Sequence, residues 1–171
     1  RCALPGGVFA FGQGDGWILL SDDRALPAPF EDGRQHPVVA LALSPDGARL
    51  AACYFPTFVA TWDLESGEAV GGRVTVSRAD RLSWSVDGSR IAVGAPVAGP
   101  TFRVIDVETS EWSARELSRE AGPRVATFVP GADQVVVGAE NGEVHVFGPE
   151  SAARLVFPLH GAPLATIAVD A

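Results

Sequence analysis

Three histidines (His36, His145 and His160) and two cysteines (Cys2 and Cys53) are the side chains here best suited to metal or acid–base chemistry. Their spacing supports little of it. A zinc site built from Cys-x-x-Cys or His-x-x-x-His pairs would need a spacing that none of these residues has. No Gly-x-Ser-x-Gly elbow is present to expose a nucleophilic serine. The run Gly12-Gln13-Gly14-Asp15-Gly16 is glycine-rich, but it leads into Trp17-Ile18-Leu19-Leu20, which reads as a strand. A phosphate cradle uses the amide groups of a helix N-terminus, so this run is read as a hairpin turn. His145 alternates with Val144 and Val146 and is read as a strand residue with a structural or surface role. His36 and His160 each stand seven residues ahead of an apolar strand residue, Leu43 and Ile167, which points to a repeated structural role. Cys2 and Cys53 fall in different units and are expected as unpaired thiols, Cys53 on a buried strand. No catalytic residue, metal or cofactor is expected, and the chain is read as a non-enzyme.

The elements that would position these groups announce themselves by repetition. Leu41-Ala42-Leu43-Ser44-Pro45-Asp46-Gly47-Ala48-Arg49-Leu50-Ala51 returns as Leu82-Ser83-Trp84-Ser85-Val86-Asp87-Gly88-Ser89-Arg90-Ile91-Ala92, and more weakly at 126–136. Leu50 to Ile91 spans 41 residues and Ile91 to Val135 spans 44. Short apolar strands at a period of about 40 indicate one small sheet per repeat, stacked as a β-propeller. Within a repeat, an alternating first strand leads to a turn with Asp-Gly. In the turn after Leu43, Pro45 presets φ and Gly47 takes the left-handed conformation. A second strand, apolar on both faces, follows at Leu50–Cys53, Ile91–Gly94 and Val135–Gly138. Third strands end at Trp62-Asp63, Ile105-Asp106 and Phe147, and more polar fourth strands run near 69–76, 112–117 and 153–157.

The expected fold is therefore all-β, a propeller of four-stranded antiparallel blades with about four blades' worth of sequence. The units are 1–35 (partial), 36–76, 77–120, 121–159 and 160–171 (partial). The N-terminal unit is read as lacking a first strand, and Leu164–Asp170 as a first strand without the rest of its sheet. These ends, and the absence of methionine, suggest a segment of a larger propeller, with closure of a four-bladed ring by pairing of the C-terminal strand with the N-terminal sheet as the alternative.

The net charge of −8 opposes binding to nucleic acid or to an anionic membrane surface. All 13 basic residues are arginines, a composition that fits a GC-rich bacterial genome. No apolar run is long enough to span a membrane, and the cytoplasm is the expected compartment, with the periplasm as the alternative.

With Trp62-Asp63 ending a third strand, Ser44-Pro45-Asp46-Gly47 after a first strand and His36 ahead of it, the chain resembles the WD40 repeat family in a degenerate, bacterial-type form. In that family a His, a Ser or Thr, an Asp and the Trp form a hydrogen-bonded network inside each blade. Here Ser77 and Ala121 occupy the other histidine positions, and Ser21, Ile105 and Phe147 the other tryptophan positions. Apolar stacking between sheets must then carry the stability. The resemblance implies a scaffold for a protein or peptide partner, with fused domains outside the segment. By the same mapping, the partner-binding rim would hold Arg34, His36, Tyr54, Phe55, Phe58, Arg78, Pro96 and Arg124. The aromatic turn Tyr54-Phe55-Pro56-Thr57-Phe58 suits either an interface anchor or packing against the next blade. The competing resemblance, carried by Trp84–Ala92, is to TolB-type periplasmic propellers and the propeller caps of prolyl oligopeptidases.

Overall fold

The computed structural model describes residues 2–30, 32, 34–56, 58–76, 79, 81–94, 101–117, 122–148 and 154–158. Their sixteen strands form four antiparallel four-stranded sheets, each in simple chain order. The first sheet holds β1 (Cys2–Ala3), β2 (Phe9–Gly12), β3 (Ile18–Leu20) and β4 (Ala25–Leu26). The second holds β5 (Val38–Leu43), β6 (Arg49–Tyr54), β7 (Phe58–Asp63) and β8 (Ala69–Thr75). The third comprises β9 (Arg81–Trp84), β10 (Arg90–Gly94), β11 (Thr101–Asp106) and β12 (Trp112–Glu116). The fourth comprises β13 (Pro123–Phe128), β14 (Val135–Ala139), β15 (Glu143–Phe147) and β16 (Arg154–Pro158).

One expectation is corrected. The first sheet does have a first strand: Cys2 pairs with Ala10 and Ala3 with Phe9. Two residues are too few to show alternation, so the strand is invisible in the sequence. The strand expected at Leu164–Asp170, together with His160, lies outside the described residues.

Successive side chains of a strand point to opposite faces, so a strand stacked between two sheets must be apolar at every position. In β6, Leu50, Ala52 and Tyr54 face the first sheet, whereas Ala51 and Cys53 face the third. In β10, Ile91 and Val93 face back toward the second sheet and Ala92 faces the fourth. Ala10, Ala51 and Ala92, spaced 41 residues apart, are all fully buried at the centre of the forward face. Large residues on the backward face of the next sheet thus meet a small one ahead of them, which allows close stacking. In the first sheet the backward-facing Phe9, Phe11, Trp17 and Leu19 remain 39–46% exposed.

Polar turns fix the ends of these strands. Ser44 Oγ donates to Asp46 Oδ1 at 2.5 Å and accepts from the Arg49 amide at 2.9 Å. Ser85 repeats this circuit with Asp87 (2.6 Å) and the Arg90 amide (2.9 Å). Gly47 follows at φ +75°, the left-handed conformation expected of it, and Gly88 shares it at +70°. Asp63 and Asp106 accept amide and hydroxyl hydrogens from Ser66 and Thr109, which closes the third-to-fourth turns. The aspartate after Trp62 is therefore a turn cap. β13 has a register shift between Pro123 and Val125, and from Val125 to Phe128 its pairing with β14 is continuous.

Candidate functional site

Antiparallel order places the second-to-third turns and the entries to the first strands on one face, called the upper face below. The described members of the expected rim lie there, from the connection between the first and second sheets to β13 of the fourth. A buried aromatic cluster organises it. Phe30, in the connection from β4 to β5, lies 4.2 Å from the His36 ring, 5.0 Å from Tyr54 and 5.3 Å from Phe58, centroid to centroid. Tyr54 also packs against Trp62 at 5.9 Å. The Arg73 guanidinium of β8 covers Phe30 and Phe58 at 5.6 and 5.9 Å, and it donates to the Pro29 carbonyl at 3.0 Å.

His36 Nε2 lies 2.9 Å from Asp32 Oδ2. Its hydrogen bond holds the Asp32 carboxyl below its ordinary range, so the carboxylate accepts and Nε2–H donates. Burial pushes the Tyr54 phenol pKa upward. Among the described residues, neither Tyr54 Oη nor His36 Nδ1 has a hydrogen-bond partner. Gly16 fits tightly beside this cluster, where a Cβ would stand 3.1 Å from the His36 carbonyl and 3.6 Å from the Tyr54 ring. The turn carrying Trp17 and the turn carrying Phe55 therefore meet at the cluster.

The eight expected rim residues separate into four groups. Arg34, Phe55 and Arg124 are exposed, Phe55 at 48%. Phe55 is fixed by its amide, which donates to the Pro37 carbonyl at 2.9 Å, and Arg124 lies 3.8 Å from Glu140. His36 and Tyr54 are corrections: at 6% and 0% exposure they are turned inward and cannot touch a partner directly. Phe58 is half-buried against the same cluster. The mapping failed for these positions because it assigned a whole turn to the rim, whereas alternation continues to the last residue of β6 and turns Tyr54 into the stack. Arg78 and Pro96 lie outside the described residues. Sequence reasoning missed Phe30 and Arg73, which hold the rim, and Trp17, whose indole is 43% exposed on the backward side of the neighbouring turn. Trp17 stands where a third strand begins, a signal that was available; Phe30, between Pro29 and Glu31, had none.

No family model matches this chain, and no curated protein matches it. Solved structures do. A chain of the crystal structure of a mitotic checkpoint complex aligns over 95% of this protein with a TM-score of 0.74 at 16% identity. A chain of hydrazine synthase from Kuenenia stuttgartiensis aligns over 75%, with a TM-score of 0.64 at 14% identity. The fold is a β-propeller fold of four-stranded antiparallel sheets. At these identities the likeness is one of architecture alone. The alignments cover 50% and 37% of the two neighbours, so this propeller chain spans half of their length or less. Among the described residues no helix is long and apolar enough to cross a membrane.

Proposed function

We propose that this chain is a non-catalytic platform for protein–protein recognition that uses the upper rim of its first two blades. The observation that carries the reading is an exposed aromatic, Phe55, and an exposed arginine, Arg34, on segments fixed by a buried aromatic cluster. Aromatic and arginine anchors dominate binding energy at interfaces. Anchors that are already ordered lose little entropy on binding. The mitotic checkpoint complex, which contains one of the structural neighbours, is in keeping with this role. The charge of −8 weighs against nucleic acid and anionic membranes as partners.

The test is capture by immobilised protein from a lysate of the source organism, quantified by mass spectrometry. A specific partner should be recovered at least tenfold less by Phe55→Ser and by Arg34→Glu, with melting curves like that of the unaltered protein. Equal recovery by all three proteins would remove the rim as the interface.

A further inference from the structure

The backward face of the first sheet differs in kind from the backward faces that are stacked. In β6, β10 and β14 the positions flanking the central forward residue hold Leu50 and Ala52, Ile91 and Val93, and Val135 and Val137, all aliphatic and buried. The same positions of β2 hold Phe9 and Phe11, whose ring centroids lie 6.5 Å apart and which are 46% and 39% exposed. Leu19 stands directly opposite Phe11, where the second sheet has Ala60 opposite Ala52. Small residues at that centre let one sheet approach the next closely. Phe11 and Leu19 instead suit the wider spacing, roughly 10 Å, of two sheets packed face to face. An aromatic, exposed face of this kind has the composition of an interface between molecules.

The strand positions of this face are also uncharged. Cross-strand pairing places Ala3, Phe9, Phe11, Leu19 and Ala25 on it. The hairpin continues it with Trp17, whose carbonyl accepts from the Gln13 amide at 2.8 Å. A chain of net charge −8 repels its own copies over much of its surface. A face without charge is where two copies can meet without desolvating like charges against one another. At the lower end of the sheet, Asp22 is already paired with Arg24 at 2.8 Å.

We propose that this face joins two copies of the chain in a weak, face-to-face dimer. A two-fold axis running between β2 and β3 lays β2 of each copy over β3 of the other. Phe11 of each copy then rests on Leu19 of the other, an isologous contact in which one flat apolar patch covers its twin. The exposed parts of Phe9, Phe11, Trp17 and Leu19, with Ala3, Gln13 and Ala25, amount to about 450 Å² on each copy. Two copies would bury about 900 Å² in all, short of the 1,200 Å² or more of stable complexes and in the range of a reversible association. The upper rim takes no part in this contact and stays open to a different partner.

The test is sedimentation equilibrium of the full chain over a range of concentrations. A monomer–dimer equilibrium is expected, with a dissociation constant between about 10 µM and 1 mM, weaker than interfaces of standard size give. Phe11→Asp and Leu19→Arg, each alone, should weaken dimerisation about tenfold or more, with melting curves like that of the unaltered protein. Mixed in equal amounts, the two variants should recover it. One central contact then joins the introduced carboxylate to the introduced guanidinium, and the other keeps Phe11 on Leu19. Phe9→Ser, a milder change on the same face, should weaken dimerisation about threefold and serves if a central variant does not fold. Phe55→Ser should leave it unchanged, which separates this face from the upper rim. A chain that stays monomeric at about 1 mM leaves the face to another molecule and overturns the proposal. So would association that none of the three face variants weakens, or a mixture of the central variants that associates no better than either alone.

Discussion

Replacing Ser85 with Ala tests whether the repeated turn circuit supports the stack. Ser85 is 3% exposed, and its hydroxyl accepts from the Arg90 amide while donating to Asp87. Removing it deprives a partly buried amide of its acceptor, at a cost of about 1 kcal/mol. The second part is electrostatic. The Ser85 hydroxyl first, then the Ser89 amide and hydroxyl, lower the Asp87 carboxyl from 3.8 to about 2. Because the folded value lies below the unfolded one, this stabilisation is full above about pH 4 and is lost as pH falls toward 2. Linkage alone would give about 2–3 kcal/mol, but Asp87 is solvent-exposed and shares its shift with Ser89. Screening and that sharing leave about 0.5 kcal/mol to the Ser85 bond. The expected loss is about 1.5 kcal/mol at pH 7, or a fall of about 3–6 °C in Tm. The gap to the unaltered protein should narrow by about 0.5 kcal/mol at pH 2. Urea denaturation at both pH values measures it, with Ser44→Ala as a twin because Asp46 is held down chiefly by the Ser44 hydroxyl. A neutral Ser85→Ala, or a gap that is the same or wider at pH 2, would refute the reasoning.

Trp62 is 1% exposed against Tyr54, so Trp62→Ala should cost about 3–5 kcal/mol in chemical denaturation. A loss below about 1 kcal/mol would contradict the packing of the first two blades. Phe11 and Leu19 are cross-strand partners on the uncovered face of the first blade, 39% and 43% exposed. Replacing both with Ser should reduce concentration-dependent association in light scattering while leaving stability within about 1 kcal/mol. Unchanged association would show that this face is not what joins molecules.

The architecture was legible because it rests on local, repeated signals. Alternation at Leu41 and Leu43, two-faced apolar runs such as Ile91–Gly94, and Asp-Gly pairs at fixed offsets each act within a few residues. Their recurrence near 41 residues added the stacking. Even the forward alanines, Ala10, Ala51 and Ala92, could have been found by that count. The short first strand at Cys2–Ala3 could not, since two residues carry no periodicity.

The rim depended on distance in space. Adjacent in sequence and alike in chemistry, Tyr54 and Phe55 are 0% and 48% exposed, because the neighbouring sheet covers one and ends before the other. Phe30 and Arg73 lie 43 positions apart, and only stacking of the loop on the second blade brings them together. Arg49 and Arg90 have nearly the same local sequence, so the chain alone predicts the same bond for both. Their partners, Glu108 and Asp133, lie on different turns of the following blade. The sequence determined where strands and turns form, because those follow from near-neighbour sterics and side-chain alternation. Only the tertiary structure decided which side chains reach solvent and which turn each arginine meets, because each sheet's surface is completed by the sheet stacked against it.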